Sequence, residues 1–379
     1  MRFSRLLKLT LAVSFLFASH SATADTFKKK PRPTPAPQIQ KPETPKPVVV
    51  RPLETVRELT ILTYNVLNLK TSVGLHERMP DGNFQKKSEP QSKSGRQILG
   101  VVKAIKSANP DIAIFEEIEG VDTLASFNRE YLDSQYTTHI MRGNDGRGIE
   151  IGFIVKKDLP LAISFETHRD VTWQDPILRR KTPLFSRDLP TLIIRRANQP
   201  TSPPVLIVMG NHAKSKRDRS GDFESRVWRT AQYEGMAEII EDYQARFGPE
   251  VPLVLAGDFN TDVTGRKSSD KEVEPVRKML VEAFDVVGLS HEERITHSFH
   301  PQGGNTIYAQ VDAVFVSKIL EPTITSAYVY RYTNDDGSVR PIPRSYDERA
   351  KNPSDHYPVV VKLKTSRIFP EAFGLPIPD

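Results

Sequence analysis

Between Leu59 and Leu363 the chain keeps returning to one pattern: a run of roughly four to eight apolar, often β-branched residues that stops abruptly at polar or glycine residues. The runs cover 59–66, 112–115, 149–155, 205–209, 253–256, 311–316 and 359–363. Runs this short and this uniformly apolar predict strands of a largely buried sheet, whereas the longer periodic stretches over 98–107 and 223–246 predict helices. The interleaving of the two fits neither an all-β sandwich nor a lone parallel unit. It predicts one mixed α/β domain over residues 58–365, followed by a tail over 366–379. No internal repeat is evident.

The N-terminal region obeys a different grammar. Arg2 and Arg5 precede an apolar stretch over 6–18, broken by Lys8, and Ala22-Thr23-Ala24 supplies a small-x-small site, so residues 1–24 predict a signal peptide cleaved after Ala24. The apolar run falls short of the about 20 residues that a membrane span requires, so export to a periplasm or the medium is expected, with no stable membrane insertion after cleavage. The chain has no cysteine, which excludes disulfides and a lipoprotein attachment site. Over 25–57 prolines recur among Lys, Thr and Gln, a composition that favours an extended spacer, or else a proline-rich ligand for a partner module. Charge follows the same division. Of the net +6, the signal and the linker carry all the surplus, leaving a body of about −2, which argues against a uniformly basic DNA-wrapping surface.

The residues that look chemical lie where apolar runs end, so that a sheet would bring them to one edge. Pro110 to Glu117 reads as a turn, a strand and two acids; a hard cation takes carboxylate oxygens, though a solvated strand end has the same appearance. Tyr64-Asn65 interrupts the first strand, as a bulge or edge residue also would. Asn211-His212-Ala213-Lys214-Ser215-Lys216 closes another strand with a group that titrates near neutrality beside lysines, a pairing suited to protonating a leaving alkoxide next to phosphate. Gly257-Asp258-Phe259-Asn260 and Ser354-Asp355-His356 complete the set. Together they offer the acids, amides and histidines that metal-assisted phosphodiester hydrolysis uses.

Taken in order, Asn65, Glu117, Asn211-His212, Gly257-Asp258-Phe259-Asn260, Asp312 and Ser354-Asp355-His356 resemble the deoxyribonuclease I-like endonuclease/exonuclease/phosphatase superfamily over about residues 58–365. The resemblance implies a four-layer α/β/β/α sandwich of two mixed sheets flanked by helices, with the active site at one sheet edge. It implies Glu117 as a metal-binding acid with Asn65 as a metal or phosphate contact, and Asp355 at the metal or phosphate. His356 would be oriented by Asp312, and His212 would be the second catalytic histidine, with Glu150 as its partner. Asp258 and Asn260 would position water and phosphate oxygens. Asn211, Lys214 and Arg187 would contact phosphate. The cofactor expected is Mg²⁺, with Mn²⁺ or Ca²⁺ as alternatives. His356 is expected to act as base and His212 as acid, their titrations coupled across one phosphate.

The superfamily's shared core fixes a reaction and leaves the substrate open. The strings Asn-His-x-Lys-Ser-Lys and Phe185-Ser186-Arg187-Asp188 are similar to bacterial extracellular nuclease-like members, which implies a nucleic-acid substrate, DNA or RNA. Arg340, Arg344, Arg349 and Lys351 precede the Ser-Asp-His string and suit a phosphate backbone, though Asp335, Asp336, Asp347 and Glu348 partly cancel them. A sphingomyelinase-like enzyme would expose apolar residues to a bilayer, for which Trp173 and Trp228 are the available tryptophans. A small-phosphoester phosphatase shares the same core, and a catalytically inactive binding protein is the alternative of another class. The presence of every acid and both histidines disfavours the last.

Overall fold

The computed structural model describes residues 48–70, 76–78, 84–86, 93–264, 268–301 and 304–374. The expected signal peptide and most of the proline-rich linker lie outside the described residues. Two six-stranded sheets dominate. The strands that build them are, in chain order, β1 (Glu58–Leu69), β2 (Ile112–Glu119), β3 (Tyr136–Ile140), β4 (Ile149–Lys156), β5 (Leu161–Glu166), β6 (Thr191–Arg196), β7 (Leu206–His212), β8 (Leu253–Asp258), β9 (Leu280–Glu282), β10 (Asp312–Ser317), β11 (Ile324–Val329) and β12 (Val359–Lys364). The first sheet runs β11-β12-β1-β2-β4-β3 and the second β9-β10-β8-β7-β6-β5. Both are mixed: β1 pairs parallel with β2 and antiparallel with β12, while β7 pairs parallel with β8 and antiparallel with β6.

Alternation along one strand explains the layering. In β7, Leu206 and Val208 join the core shared with the first sheet, whereas Ile207 and Met209 join a second core with Tyr233, Met236 and Ile240. Successive side chains of a strand point to opposite faces, so an unbroken apolar run means burial on both sides. One face of β7 meets the other sheet, and the opposite face meets helix α3 (Arg226–Phe247), taken here with α1 (Gly95–Ala108) and α2 (Val121–Tyr131). Val101, Ile105, Leu124 and Phe127 of α1 and α2 are buried in the core that includes the first sheet. Sheet-to-sheet approach is close at Gly210, where a Cβ would stand 2.9 Å from both Ile151 and Phe153. The expected four-layer sandwich is thus the observed one.

Two expected boundaries shift. Val56 is buried, and Arg51 pairs with Asp111 at 2.7 Å and with Asp158 at 2.9 Å, so the end of the segment read as linker belongs to the domain. The tail does too: Ile368, Phe369 and Ala372 are buried, and the Arg196 guanidinium grips Glu371 through two bonds of 2.7 and 2.9 Å. Ala372 lies in a short 3₁₀ turn over Pro370–Phe373, and Ile368 and Phe369 lie between that turn and another over Thr365–Arg367. Among the described residues, no helix is long and apolar enough to cross a membrane.

Candidate active site

Asn65 and Glu117 owe their placement to irregularities in the first sheet. The parallel register of β1 with β2 holds to Asn65↔Glu116 and resumes only at Leu69↔Ile118, with Leu67 and Asn68 at φ 50° and 54°. On its other side β2 slips against β4 between Phe115 and Ile118, with Glu117 at φ 63°. A bulge re-aims side chains, and a left-handed conformation away from glycine costs about 1 kcal/mol or more. The two adjacent acids are separated as a result. Glu116 is fully buried, accepts from Thr63 Oγ1 at 2.8 Å, and is pushed well above the usual carboxylate range by burial and by the charge of Asp312. Glu117 instead brings Oε1 to 4.0 Å from His212 Nε2.

Asp258, at the end of β8, is the hub. Its Oδ2 accepts from Asn65 Nδ2 and Asn260 Nδ2, both at 3.1 Å, and its Oδ1 accepts from the Asn260 backbone N–H at 2.7 Å. That same Oδ2 lies 3.5 Å from His212 Nε2 and 3.9 Å from His356 Nε2. The approach of β7 to β8 that permits this depends on Gly257, where a Cβ would fall 1.8 Å from the Asn211 carbonyl oxygen. Asn211 Nδ2 in turn donates to the Asp258 carbonyl at 3.1 Å, so this residue, expected at phosphate, supports the hub.

The two histidines occupy unlike surroundings. His356 Nδ1 donates to the Asp312 carboxylate at 2.9 and 3.1 Å, which fixes the ring with Nε2 outward, and its backbone N–H donates to Ser354 Oγ. Burial opposes its charge, but Asp312, Asp258 and Asp355 outweigh that and raise its pKa well above the ordinary histidine value. His212 is driven the other way, by burial first and then by Arg187 and His356, well below the ordinary value. Among the chain's own charges, His356 therefore holds a proton and His212 does not. These are the reverse of the states that a base at His356 and an acid at His212 require.

The expected pairing of Glu150 with His212 is not the one observed. Glu150 Oε2 accepts from the Gly143 N–H at 2.6 Å, and among the described residues His212 Nδ1 has no hydrogen-bond partner. A backbone donor in the 143–148 loop captures the carboxylate first. Arg187 is buried beneath the same wall, donating to the Ala213 carbonyl at 2.9 Å and standing 3.2 Å from Asp145, which also holds Arg147. Asn260 Nδ2 shares the Ala213 carbonyl at 3.1 Å. Lys214 lies 6.0 Å over the Trp228 ring, and burial with the neighbouring arginines lowers its pKa to about 8.

The donor set suits a hard divalent cation. Burial and the charge of Asp355 raise the Glu117 pKa, so two carboxylates share a space where added positive charge would relieve them. Asn65 lies at the same edge and is already bonded to Asp258. Among the described residues, the groups of three acids or histidines whose ligand atoms fall within 4.8 Å of one another are His297, Asp355 and His356, and Asp258, Asp312 and His356. The second is better read as a hydrogen-bonded histidine–carboxylate pair with a neighbour, because Asp312 is already committed to Nδ1.

His297 and Lys93 join the site without notice from the sequence, and Arg349, read there as a phosphate contact, faces a carboxylate. His297 packs against His356 with ring centroids 4.6 Å apart and planes tilted by 39°, and it lies 3.8 Å from Asp355. Arg349 reaches Asp355 at 3.6 Å, and with both histidines it holds that carboxyl well below its usual range despite burial. Buried Lys93 donates to the Pro353 carbonyl, and desolvation brings its pKa to about 8 although Asp355 and Glu117 pull it up. His297 sits in a three-residue strand, too short to mark itself in the sequence, and Lys93 carries no signal either.

A profile of the Endonuclease/Exonuclease/phosphatase family matches residues 62–356. No curated protein matches the chain in sequence. Among solved structures, truncated Caenorhabditis elegans TDP2 superposes with a TM-score of 0.52 at 18% identity, covering 81% of this chain and 98% of that one. D. rerio TDP2 complexed with single strand DNA product gives 0.51 at 15% identity, covering 81% and 99%. An endonuclease/exonuclease/phosphatase from Bacteroides vulgatus gives 0.50 at 14% identity, covering 81% and 98%.

Proposed function

The chain belongs to the endonuclease/exonuclease/phosphatase family, whose members are hydrolases of phosphoester bonds, and on that premise we propose that it is an exported, divalent-metal-dependent phosphodiesterase whose substrate is nucleic acid. The observation that carries the chemistry is the single carboxylate oxygen, Asp258 Oδ2, lying within 4 Å of the Nε2 atoms of both His212 and His356. Two imidazoles converging on one point can serve the two ends of an in-line displacement at phosphorus. Water attacks, its oxygen bonds to phosphorus, and the bond to the departing oxygen breaks. One Nε2 takes the proton from water, and the other gives a proton to the leaving oxygen. Asp312 keeps His356 in the orientation this needs, through the bond at Nδ1. Asn260, its Nδ2 committed to Asp258 and to the Ala213 carbonyl, offers Oδ1 as an acceptor for the attacking water. Lys214 adds positive charge on the phosphate side.

Glu117 and Asp355, with Asn65 beside them, are the residues that would hold Mg²⁺ or a similar cation, which when bound neutralises charge on the phosphoryl oxygens. Export is supported by the sequence of residues 1–24. A nucleic-acid substrate is supported by the Asn-His-x-Lys-Ser-Lys string, by the lysines and arginines around the cleft, and by a fold that in its D. rerio neighbour was solved with a single-strand DNA product. The test is hydrolysis of plasmid DNA, RNA, sphingomyelin and inositol phosphates by the mature protein with Mg²⁺, with and without chelator, beside His356→Ala. Chelator-sensitive cleavage of DNA or RNA, lost in the variant, is expected. Cleavage confined to a lipid or a small phosphoester would overturn the substrate, and no cleavage of any would overturn the enzyme.

A further inference from the structure

Beside the catalytic residues opens a cavity of about 840 Å³ whose floor includes His356 and Asn260 and whose walls the hydrolytic chemistry does not use. Phe223 lines it and is 72% exposed; Phe299 and Ile307 also line it and are 51% and 48% exposed. Large apolar side chains gathered in the open next to a reaction centre mark a contact surface.

Both rims are held firmly. Phe223 precedes two left-handed residues, Glu224 at φ 52° and Ser225 at φ 49°. The turn is tied on every side: the Glu224 N–H donates to Asp218 at 2.7 Å, Ser225 Oγ donates to the Arg217 carbonyl at 2.6 Å, and Arg229 Nη1 donates to the Glu224 carbonyl at 2.8 Å. Asp222 accepts from the N–H groups of Val227 and Trp228 and pairs with Arg219 at 3.0 Å. Backbone strain persists only where surroundings over-determine it, and here it keeps an aromatic ring in solvent. Opposite, Phe299 and Ile307 are cross-strand partners in the pairing of His297–Phe299 with Ile307–Ala309, whose His297 forms a backbone bridge with His356 and packs its ring against it. The charge is complementary to phosphate. Glu224 is paired with Arg226 at 3.2 Å, and Lys216 and Arg217 outnumber the other carboxylate of the lining, Asp262, which accepts from Thr264.

We propose that this cavity is a base-stacking subsite: unpaired nucleotides next to the scissile phosphate lie against Phe223 and the Phe299–Ile307 edge, with Lys216 and Arg217 on the backbone, so that single strands are selected over duplex. The inference rests on the nucleic-acid reading given above. Aromatic faces take up any base that is free to leave its partner, and a paired, stacked base is not. An acyl chain would also suit the apolar rim but has no use for the two cations.

The experiment compares kcat/KM of the full mature protein with Mg²⁺ on a labelled single-stranded oligonucleotide, its duplex, and a same-length strand of abasic units. The enzymes are the unaltered protein, Phe223→Ala, Phe299→Ala and Phe223→Trp. Because both rings are exposed, unchanged thermal melting is expected and checks the fold. The unaltered protein should prefer the base-bearing single strand over the other two by roughly tenfold or more; each alanine variant should erase most of that preference, mainly through KM, and tryptophan should restore it. Equal cleavage of all three substrates by the unaltered protein, or alanine variants that change all three alike, would overturn the subsite and leave the nuclease reading standing. Cleavage of none of them is the distinct failure of the nuclease reading. Loss by the alanine variants of binding to phosphatidylcholine–sphingomyelin vesicles, with the base preference intact, would make the rim a membrane contact and overturn the proposal.

Discussion

The two walls of the cleft each present a histidine and put the two into opposite electrical states. One wall carries Glu117, Asp355 and the Asp312–His356 pair, and its carboxylates hold a proton on His356. The other carries His212 with Arg187, Arg147 and Lys214, and there burial and guanidinium charge keep His212 neutral and draw Lys214 toward neutrality. The lesson is that residue type does not assign a role: two histidines that stand 3.5 and 3.9 Å from one carboxylate oxygen differ because of what lies behind them.

The comparison breaks most sharply at the imidazoles. His356→Ala should lower kcat by about 10² to 10⁴, the range for a group that moves a proton in the transition state, as read in single-turnover hydrolysis. On the anionic wall, Glu117→Gln should cost about 100-fold in activity and, in calorimetry with Mn²⁺, weaken metal binding. Unaltered metal binding would remove Glu117 from the cation's ligands. Ring-nitrogen NMR without added metal should find His356 doubly protonated at neutral pH while His212 is not. Added Mg²⁺ should then move the His356 titration to lower pH, because positive charge near Asp355 offsets the anionic field; titration of both near the ordinary histidine value would erase the contrast. The smallest effect belongs to the cationic wall. Lys214 loses its charge as pH rises through about 8, so KM should climb several-fold above that pH, and Lys214→Arg should flatten the rise.

Much of this was legible in the sequence because the chemical strings abut apolar runs, and a buried strand delivers the residues at its ends to an edge. Asp258 and His212 follow such a run, and His356 stands just before the last one. What escaped depends on local irregularity or distant partners. Whether Glu116 or Glu117 faces the cleft is decided by a bulge against two neighbouring strands, one of them β4, more than 30 residues further along the chain. Glu150 was matched to His212 on resemblance, but a backbone N–H of the nearby loop takes its carboxylate. Phe223 was read into the helix over 223–246, since an apolar residue four before a periodic stretch looks like its first turn; the helix begins at Arg226, where Asp222 caps Val227 and Trp228, and Phe223 is left outside. His297 sits in a pair of three-residue strands, too short to announce itself.

Single-turnover cleavage of a labelled oligonucleotide by the mature protein and by Asp312→Asn, with Mg²⁺ and with chelator, is the most direct test of this cleft as the seat of phosphodiester hydrolysis. The substitution keeps the shape of the group behind His356 and removes its charge. Cleavage by the unaltered protein that chelator abolishes, with a loss of about 10³-fold or more in Asp312→Asn at unchanged fold, is the predicted result. Cleavage that survives chelator, or an Asp312→Asn protein as active as the original, would contradict it.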